Sequence, residues 1–385
     1  MSLFLEYGYT SFNKKGEELC GDMVSVVRKD GYTTLVLADG MGSGVKANIL
    51  ATLTSTILST MVSENIPLDD CVETIIETLP VCKVRGVAYS TFSVIHLNND
   101  GKGFMFEFDS PECMFFRNGY PWVMEREELV VCGKKIYKSE LELEDQDVII
   151  VMSDGVPHAG IGKLLNFGWD RDDIIDYMHT NIQPDMSARC IAAVLADASF
   201  GLYQGEPGDD TTVAAVKIRQ EQQVNMLIGP PSKREYCEKY VSDFLAEEGI
   251  RIVCGGTTSQ IVAEFMGQEV KADLDYYDSE IPPIGYIRGI DLVTEGIITL
   301  KKLIELSETY LDIHSDIPKK FLKKDGASQL AQFLFEAATD INFFVGQAVN
   351  EAHEGLIDST LKFKLVETLS ENLEKMGKRI TVRYY

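Results

Sequence analysis

Three apolar runs, each standing next to an aspartate, constrain this chain more than any other feature of its sequence. In chain order they are Leu35–Ala38 with Asp39, Val148–Met152 with Asp154, and Val213–Val216 with Asp209. Short apolar runs bounded by turn residues are typical of buried strands, so each run predicts a carboxylate at a strand end. Hard divalent cations take carboxylate oxygens as ligands, so three such carboxylates in one domain favour a metal site.

Each aspartate also has an ordinary structural explanation. Asp39 and Asp154 are both followed by glycine, and Asp-Gly is among the commonest turn dipeptides. A structural turn therefore stays open as the alternative at each position. The combination favours the metal site, because three apolar strands that each stand beside Asp are uncommon for turns alone.

The order of elements in the first half predicts an α+β fold rather than a parallel βαβ sheet. The predicted strands are Met23–Val27, Thr33–Ala38, Thr91–Leu97, Gly103–Phe108, Cys113–Arg117, Val130–Cys132, Asp147–Met152 and Thr211–Ile218. The predicted helices are Val45 to about Ser63, Leu68–Leu79 and a mixed region over about 160–200. Over Val45 to about Ser63, Ile49, Leu53, Ile57 and Met61 recur every four residues, which is the periodicity of a helix.

A short polar run, Arg219–Gln223, predicts a boundary between two domains, 1–219 and 224–385. The second half alternates a strand from Val224, a helix over about 232–248, a strand at Ile250–Cys254 and a helix from about Thr258. Further helices are predicted past residue 295. This alternation predicts a smaller α/β domain.

Composition excludes several classes of function. The chain has 385 residues, 60 acidic and 36 basic, and a formal net charge of -24, so a nucleic-acid partner is not expected. The eight cysteines include no C-x-x-C pair, and there are only five histidines, which argues against zinc. We expect reduced thiols in a cytoplasmic protein, with no signal peptide and no membrane span.

Five short motifs, taken together, resemble the metal-dependent (type 2C, or PPM) protein phosphatases. In chain order they are Gly21-Asp22, Leu37-Ala-Asp39-Gly40-Met41-Gly42-Ser43-Gly44, Tyr89-Ser-Thr-Phe92, Met152-Ser-Asp154-Gly155 and Gly208-Asp-Asp-Thr-Thr212. The chain looks most similar to the bacterial branch typified by the stage II sporulation E phosphatase. The similarity covers about residues 1–219, and the Asp-Gly-Met-Gly-x-Gly element is its most specific part. Signalling phosphatases of this branch commonly carry an attached domain, so the resemblance implies a regulatory or ligand-sensing function for 224–385.

The resemblance implies two packed antiparallel sheets flanked by helices, with two Mn²⁺ or Mg²⁺ ions in a cleft at one edge. Asp39 would bridge both ions, and Asp154 and Asp209 would complete the shell of the first. Gly40 would give a backbone carbonyl to the second ion, on which Asp22 would act directly or through water. These five residues are the expected metal ligands, and Asp39, Asp154 and Asp209 are also expected to be catalytic.

Two further residues near these motifs have open assignments. Asp210 stands beside Asp209, but Asp209 matches the ligand position of the family. His158 follows Asp154 by four residues and is either a general acid near the cleft or a solvated loop residue.

The implied reaction is hydrolysis of phosphoserine or phosphothreonine on a bacterial signalling protein by a water activated between two ions. One alternative is a pseudophosphatase that binds a phosphoprotein without hydrolysing it. A second alternative places the main activity in the C-terminal half, as a nucleotide- or metabolite-sensing protein. The only motif there that suggests a ligand is Gly255-Gly256-Thr257-Thr258, where amides and hydroxyls after a strand could hold a small anion. The structural alternative is a tight turn with a capped helix.

Overall fold

The computed structural model describes residues 3–29, 31–78, 90–273, 281–312, 323–348 and 356–385. The chain divides into two compact units, Met1–Gln220 and Glu221–Tyr385.

The first unit consists of antiparallel strands with helices before and after them. Its strands are β1 Leu3–Phe12, β2 Asp22–Lys29, β3 Tyr32–Gly40, β4 Ser90–Asn98, β5 Lys102–Phe108, β6 Met114–Arg117, β7 Tyr120–Trp122, β8 Glu127–Val131, β9 Lys134–Glu142, β10 Val148–Met152 and β11 Thr211–Gln220. Its helices are α1 Gly44–Ser63, α2 Leu68–Thr78, α3 Arg171–Asn181 and α4 Ala188–Leu202. The last residue of the second predicted helix, Leu79, lies outside the described residues.

The strands form two sheets, one in the order β1-β11-β10-β6-β7 and the other in the order β2-β3-β4-β5-β9-β8. A core that includes Leu5, Val216, Leu37 and Ile95 lies between the sheets. A second core joins α1 and α2 to the six-stranded sheet, and a third joins α3 and α4 to the five-stranded sheet. The fold is therefore an antiparallel β-sandwich with helices on both outer faces, which confirms the predicted α+β class.

Three strands of the sandwich, β1, β7 and β9, were missing from the sequence prediction. β1 pairs with β11 along its whole length, from Leu3 opposite Gln220 to Phe12 opposite Thr211. β7 has only three residues, and polar and small residues interrupt the apolar pattern of β1, LFLEYGYTSF, and of β9, KKIYKSELE. Tertiary pairing supplies the stability that the local pattern does not indicate.

The helix α1 has nearly the predicted bounds. Ala51, Leu58 and Val62 lie in the core, and Ile57 and Met61 pack against it, whereas Ile49 and Leu53 are 51% and 41% exposed. The buried face consists largely of small residues, which allow this helix to approach the sheet closely.

The same helix is, among the described residues, long and apolar enough to cross a membrane on length and composition alone. That test is weak evidence, since the core helix of a soluble domain passes it too, and α1 contributes to the core beneath the six-stranded sheet.

The second unit is built on a mostly parallel seven-stranded sheet. Its strands are β12 Gln223–Ile228, β13 Ile250–Cys254, β14 Lys271–Ala272, β15 Gly285–Tyr286, β16 Leu292–Thr294, β17 Asp340–Val345 and β18 Arg379–Tyr384. Its helices are α5 Cys237–Ala246, α6 Gly256–Met266, α7 Ile297–Leu311, α8 Gly326–Ala331 and α9 Leu356–Lys375.

The sheet order of the second unit is β14-β15-β16-β13-β12-β17-β18, with parallel pairing from β16 to β18. The chain moves from β12 to one side and later returns to its other side, which is a doubly wound α/β arrangement. The carboxyl ends of the parallel strands therefore meet at one edge of the sheet, and the loops that begin at Gly229, Gly255, Glu295 and Gly346 lie along that edge.

Candidate metal centre

The six-stranded sheet supplies two of the predicted carboxylates. Asp22 is the first residue of β2, and Asp39 is the next-to-last residue of β3. The two residues are direct partners in the antiparallel β2–β3 register, so their side chains project from the same face of the sheet. The Gly40 N–H donates a hydrogen bond of 3.0 Å to the Gly21 carbonyl, which holds the two strand ends together.

The five-stranded sheet supplies the other two. Asp154 stands two residues after β10, and Asp209 stands two residues before β11. Because β10 and β11 are antiparallel neighbours, the end of one strand meets the start of the other. The Ser153 N–H donates to the Thr212 carbonyl, and the Thr212 N–H donates to Ser153 Oγ, both at 2.9 Å.

The electrostatics of Asp39 show that the four carboxylates act on one another. Burial raises the pKa of the Asp39 carboxyl, and the charges of Asp22, Asp154 and Asp209 raise this pKa further. A hydrogen bond from the Asp154 backbone N–H works in the opposite direction and favours the ionised form. The two sheets therefore bring two carboxylates each to one edge of the sandwich.

Asp22 gives the clearest sign that this cluster suits a cation. Its side chain is buried, with 4% of the residue exposed, and neither carboxylate oxygen has a hydrogen-bond partner among the described residues. Burial raises the pKa of the Asp22 carboxyl. The nearby hydroxyls of Ser153 and Thr212 offset part of this rise, although neither makes a hydrogen bond of ordinary geometry to the carboxylate. A buried carboxylate without a partner is costly, and a divalent cation would compensate it.

Asp210 differs from Asp209 in what holds its side chain. Asp210 is 4% exposed, and its Oδ1 accepts a hydrogen bond of 3.0 Å from the Lys14 backbone N–H. Burial raises the pKa of Asp210 as well. Its carboxylate thus ties the β1–β2 loop to the start of β11, whereas the Asp209 side chain is one-third exposed and lies in the cluster.

His158 lies closer to the carboxylates than its place in a loop suggests. One ligand atom each from His158, Asp154 and Asp209 lie within 4.8 Å of one another, and His158 Nδ1 is 3.7 Å from Asp154 Oδ2. The imidazole is half exposed, so it is both a possible additional ligand and a proton donor open to solvent.

Close backbone contacts explain why glycine follows both Asp39 and Asp154. A Cβ atom at Gly40 would lie 2.1 Å from the Ala47 carbonyl oxygen of α1. A Cβ atom at Gly155 would lie 2.1 Å from the Asp210 carbonyl oxygen. Only glycine permits these approaches, which place the carboxylate-bearing turns against α1 and against the start of β11.

Lys14 belongs to this site and escaped the sequence analysis. Its Nζ lies 3.5 Å from Asp209 Oδ1. Burial raises the pKa of the Asp154 carboxyl, and the Lys14 charge offsets part of that rise. The residue stands in the loop between β1 and β2, nearly two hundred positions from Asp209. No local pattern marks such a lysine, because the contact exists only through the β1–β11 pairing.

The predicted donor set consists of carboxylate oxygens and the backbone carbonyl of Gly40, and among the described residues His158 adds an imidazole at its rim. Oxygen donors of this kind suit Mn²⁺ or Mg²⁺ rather than a soft metal. The structure thus holds an acidic group that could bind metal, whereas the assignment of individual ligands stays a prediction. Tyr89 of the third motif lies outside the described residues, and Ser90 Oγ donates to the Asp39 carbonyl at 2.8 Å.

Residues 29–219 match the family model described as stage II sporulation protein E (SpoIIE). The matched segment includes Asp39, Gly40, Asp154 and Asp209, and it begins after Asp22. A search of the curated proteins gave no significant match.

Solved structures with a similar chain path include three phosphatases or related proteins. The PP2C phosphatase domain of SpoIIE from Bacillus subtilis, with a fragment of its regulatory domain, is 20% identical, covers 57% of this chain and has a TM-score of 0.49. This chain spans 64% of the length of that structure. RsbX in complex with magnesium is 15% identical, with coverage of 56% of this chain and 95% of RsbX and a TM-score of 0.40. The catalytic domain of PstP in complex with two manganese ions is also 15% identical, with coverage of 57% and 100% and a TM-score of 0.38.

Proposed function

We propose, from the premise that residues 29–219 of this chain belong to the SpoIIE family, that the first unit is a metal-dependent serine/threonine protein phosphatase. The observation that carries the proposal is the meeting of Asp22 and Asp39 from one sheet with Asp154 and Asp209 from the other. Carboxylates that crowd together repel one another, and cations bound between them would offset this repulsion. Structural turns alone would not require four carboxylates to meet at one place.

The metal ligands we propose are Asp22, Asp39, Asp154, Asp209 and the Gly40 carbonyl, and the ions we propose are two Mn²⁺ or Mg²⁺. When bound, such ions lower the pKa of a coordinated water and neutralise charge on phosphoryl oxygens. Asp39 is the candidate for the shared ligand, because its pKa responds to carboxylates from both sheets.

The residues of the chain itself would orient the phosphoryl group and move protons. Lys14 places a positive charge beside Asp209, where it can attract a substrate phosphate that the acidic cluster would otherwise repel. His158, half exposed and 3.7 Å from Asp154, is placed to give a proton to the departing serine or threonine oxygen.

The substrate we propose is a phosphorylated bacterial signalling protein in the cytoplasm. The half-exposed side chains of Asp154 and His158 place part of the site at the protein surface, where a phosphorylated residue on another protein could reach it. Cys71, Cys113 and Cys254 are buried free thiols, which agrees with a reducing compartment.

The test is phosphatase activity of the purified full chain on a phosphothreonine peptide and on p-nitrophenyl phosphate, with Mn²⁺, with Mg²⁺ and with EDTA. We expect turnover that requires the metal and that Asp154→Asn removes. Asp173→Asn changes an aspartate of the first turn of α3, outside the cluster, and serves as the matched control.

Turnover in EDTA, or turnover unchanged by Asp154→Asn, would refute the proposal. Metal binding without turnover on any phosphopeptide would instead favour the phosphoprotein-binding alternative.

A further inference from the structure

Two neighbouring parallel strands of the second unit end in the same local arrangement. β13 is followed by Gly255 and the helix α6, and β16 is followed by Glu295, Gly296 and the helix α7. Each helix has glycine at its N-cap, and neither N-cap makes a side-chain hydrogen bond. Neither N-cap residue therefore supplies the side-chain acceptor that Ser, Thr, Asp or Asn would give to the first-turn amides.

Each first turn also carries a threonine at the third helical position, Thr258 in α6 and Thr299 in α7. Thr258 is 1% exposed and Thr299 is 0% exposed, yet neither hydroxyl has a hydrogen-bond partner among the described residues. A buried hydroxyl without a partner is unfavourable, so a ligand that accepts or donates there would be stabilised.

The Thr258 hydroxyl faces the turn itself. A Cβ atom at Gly255 would lie 3.0 Å from Thr258 Oγ1, so the hydroxyl lies beside the face of Gly255 where a side chain would stand. Gly255 has a φ of 121°, a backbone conformation that side chains rarely allow. Gly256 and Thr257, in contrast, are exposed, so the turn opens to solvent in front of the buried hydroxyl.

The two turns are in contact. The Gly255 N–H donates to the Thr294 carbonyl at 2.9 Å, and Cys254 Sγ donates to the Glu295 carbonyl at 3.0 Å. A Cβ atom at Gly296 would lie 3.7 Å from Gly255 Cα. Two helix N-termini, with the positive ends of their dipoles, therefore lie side by side at the carboxyl edge of the sheet.

The cavity that adjoins α6 has a volume of about 650 Å³, which is large enough for a small molecule. Thr257, Arg234, Glu238, Glu264, Phe265 and Pro231 are among its lining residues. Phe265 is 45% exposed and offers an aromatic face, and Arg234 offers a cation. The two glutamates would repel a bare phosphate, but they can accept hydrogen bonds from hydroxyl or amino groups.

We propose that this paired turn binds the phosphate of a nucleotide, with the nucleoside in the cavity beside α6. The amides and the Thr258 hydroxyl would donate to the phosphate, the glutamates would accept from the ribose or the base, and Phe265 would pack on the base. The site lies in the second unit and is independent of the phosphatase proposed for the first.

Glu295 makes this proposal sharper, because its carboxylate already accepts a hydrogen bond from the Gly296 N–H. An incoming phosphate would compete with this carboxylate for the Gly296 N–H at the N-cap of α7. Removal of the charge in Glu295→Gln should therefore strengthen nucleotide binding, and Glu295 is exposed, so the change is compatible with folding.

The experiment is isothermal titration calorimetry of the full chain with AMP and, separately, with inorganic phosphate. EDTA and the Asp39→Asn background keep the candidate metal centre from binding either probe. We expect AMP to bind, inorganic phosphate to bind more weakly, and Thr258→Val to weaken AMP binding by about tenfold through loss of one hydroxyl contact. Thr258→Ser keeps the hydroxyl and should retain binding.

No AMP binding, or AMP binding that Thr258→Val leaves unchanged, would overturn the proposal. Inorganic phosphate binding as tightly as AMP would overturn its nucleoside part. If Thr258→Val does not fold, the Glu295→Gln variant decides, because unchanged or weaker AMP binding there would contradict competition at the paired turn.

Discussion

Asp22 and Asp39 lie directly opposite each other in the antiparallel β2–β3 pair, so two carboxylates share one face of the sheet at its edge. Like charges directly opposite in a sheet are destabilising, and here one of the two, Asp22, is also buried with no hydrogen-bond partner in the part of the chain that the structure describes. Such an arrangement is consistent with a site whose stability depends on what it binds.

Asp39→Asn should separate metal binding from folding. We expect the metal-free variant to be more stable than the metal-free wild type by about 0.2–1 kcal/mol, because the charge opposite Asp22 is gone. We also expect Mn²⁺ to raise the Tm of the wild type, by mass action, and to leave the Tm of the variant nearly unchanged. Phosphatase activity should fall by at least about 100-fold. Thermal unfolding with Mn²⁺ and with EDTA, beside the activity assay, measures all three.

Asp100→Asn is the control for that experiment. Asp100 stands in an exposed turn, where its Oδ1 accepts a hydrogen bond from the Lys102 backbone N–H, two residues away. An equal response of Asp39→Asn and Asp100→Asn to Mn²⁺ would contradict the role of Asp39.

Lys14→Gln should change two properties of the site in opposite directions. The lysine charge near Asp209 disfavours a metal cation and favours a substrate phosphate. We therefore expect the variant to need less Mn²⁺ for half-maximal activity and to show a higher KM for a phosphopeptide. Each effect should be about two- to five-fold, as for a partly exposed ion pair.

The neighbouring Lys15→Gln is the matched control, because Lys15 pairs with Glu206 and its side chain is 63% exposed. Parallel changes in both kinetic constants, or the same changes in Lys15→Gln, would remove Lys14 from the site.

Gly40→Ala should destabilise the first unit by about 3 kcal/mol, because the added methyl group would overlap the Ala47 carbonyl oxygen at 2.1 Å. The shift between β3 and α1 should also disturb the metal turn and lower activity. Gly16→Ala is the comparison: Gly16 has a φ of 89° but nothing within 4 Å, so only backbone strain of about 1 kcal/mol is expected. Urea unfolding of the two variants measures the difference. Equal losses in the free energy of unfolding would contradict the expected steric clash with Ala47.

His96 should make stability depend on pH. Its ring is 5% exposed, stacks on Phe104 at 4.9 Å and contacts Thr34 Oγ1 at 2.8 Å through Nδ1. Burial lowers the pKa of His96 below its ordinary value. The unfolded chain then binds the proton first as pH falls, so this stabilisation is full above about pH 6.5 and decreases as pH falls toward the folded pKa.

In His96→Gln, the free energy of unfolding should lose less between about pH 7.5 and about pH 5 than it does in the wild type. Urea unfolding at the two pH values measures this, and identical losses would show that other groups carry the pH dependence.

Much of the first unit was predictable because its signals are local. The strand bounds near Asp39 and Asp154 follow from short apolar runs, and the glycines after them follow from turn chemistry. The α+β class follows from the order of these elements, and the match of residues 29–219 to the SpoIIE family agrees with the motifs. The strands β1, β7, β9 and β14 to β18 were not predicted, because they are short, because polar residues interrupt them or because helical regions surround them.

The sequence by itself determined which carboxylates stand at strand ends, since a run of apolar residues and the turn after it depend on neighbours a few positions away. Only the tertiary structure decided that Asp22 and Asp39 meet Asp154 and Asp209, that α1 buries its small residues, and that Lys14 lies beside Asp209. The physical reason is that these contacts depend on how two sheets pack and on the register of β1 against β11, and packing joins residues that no local pattern relates.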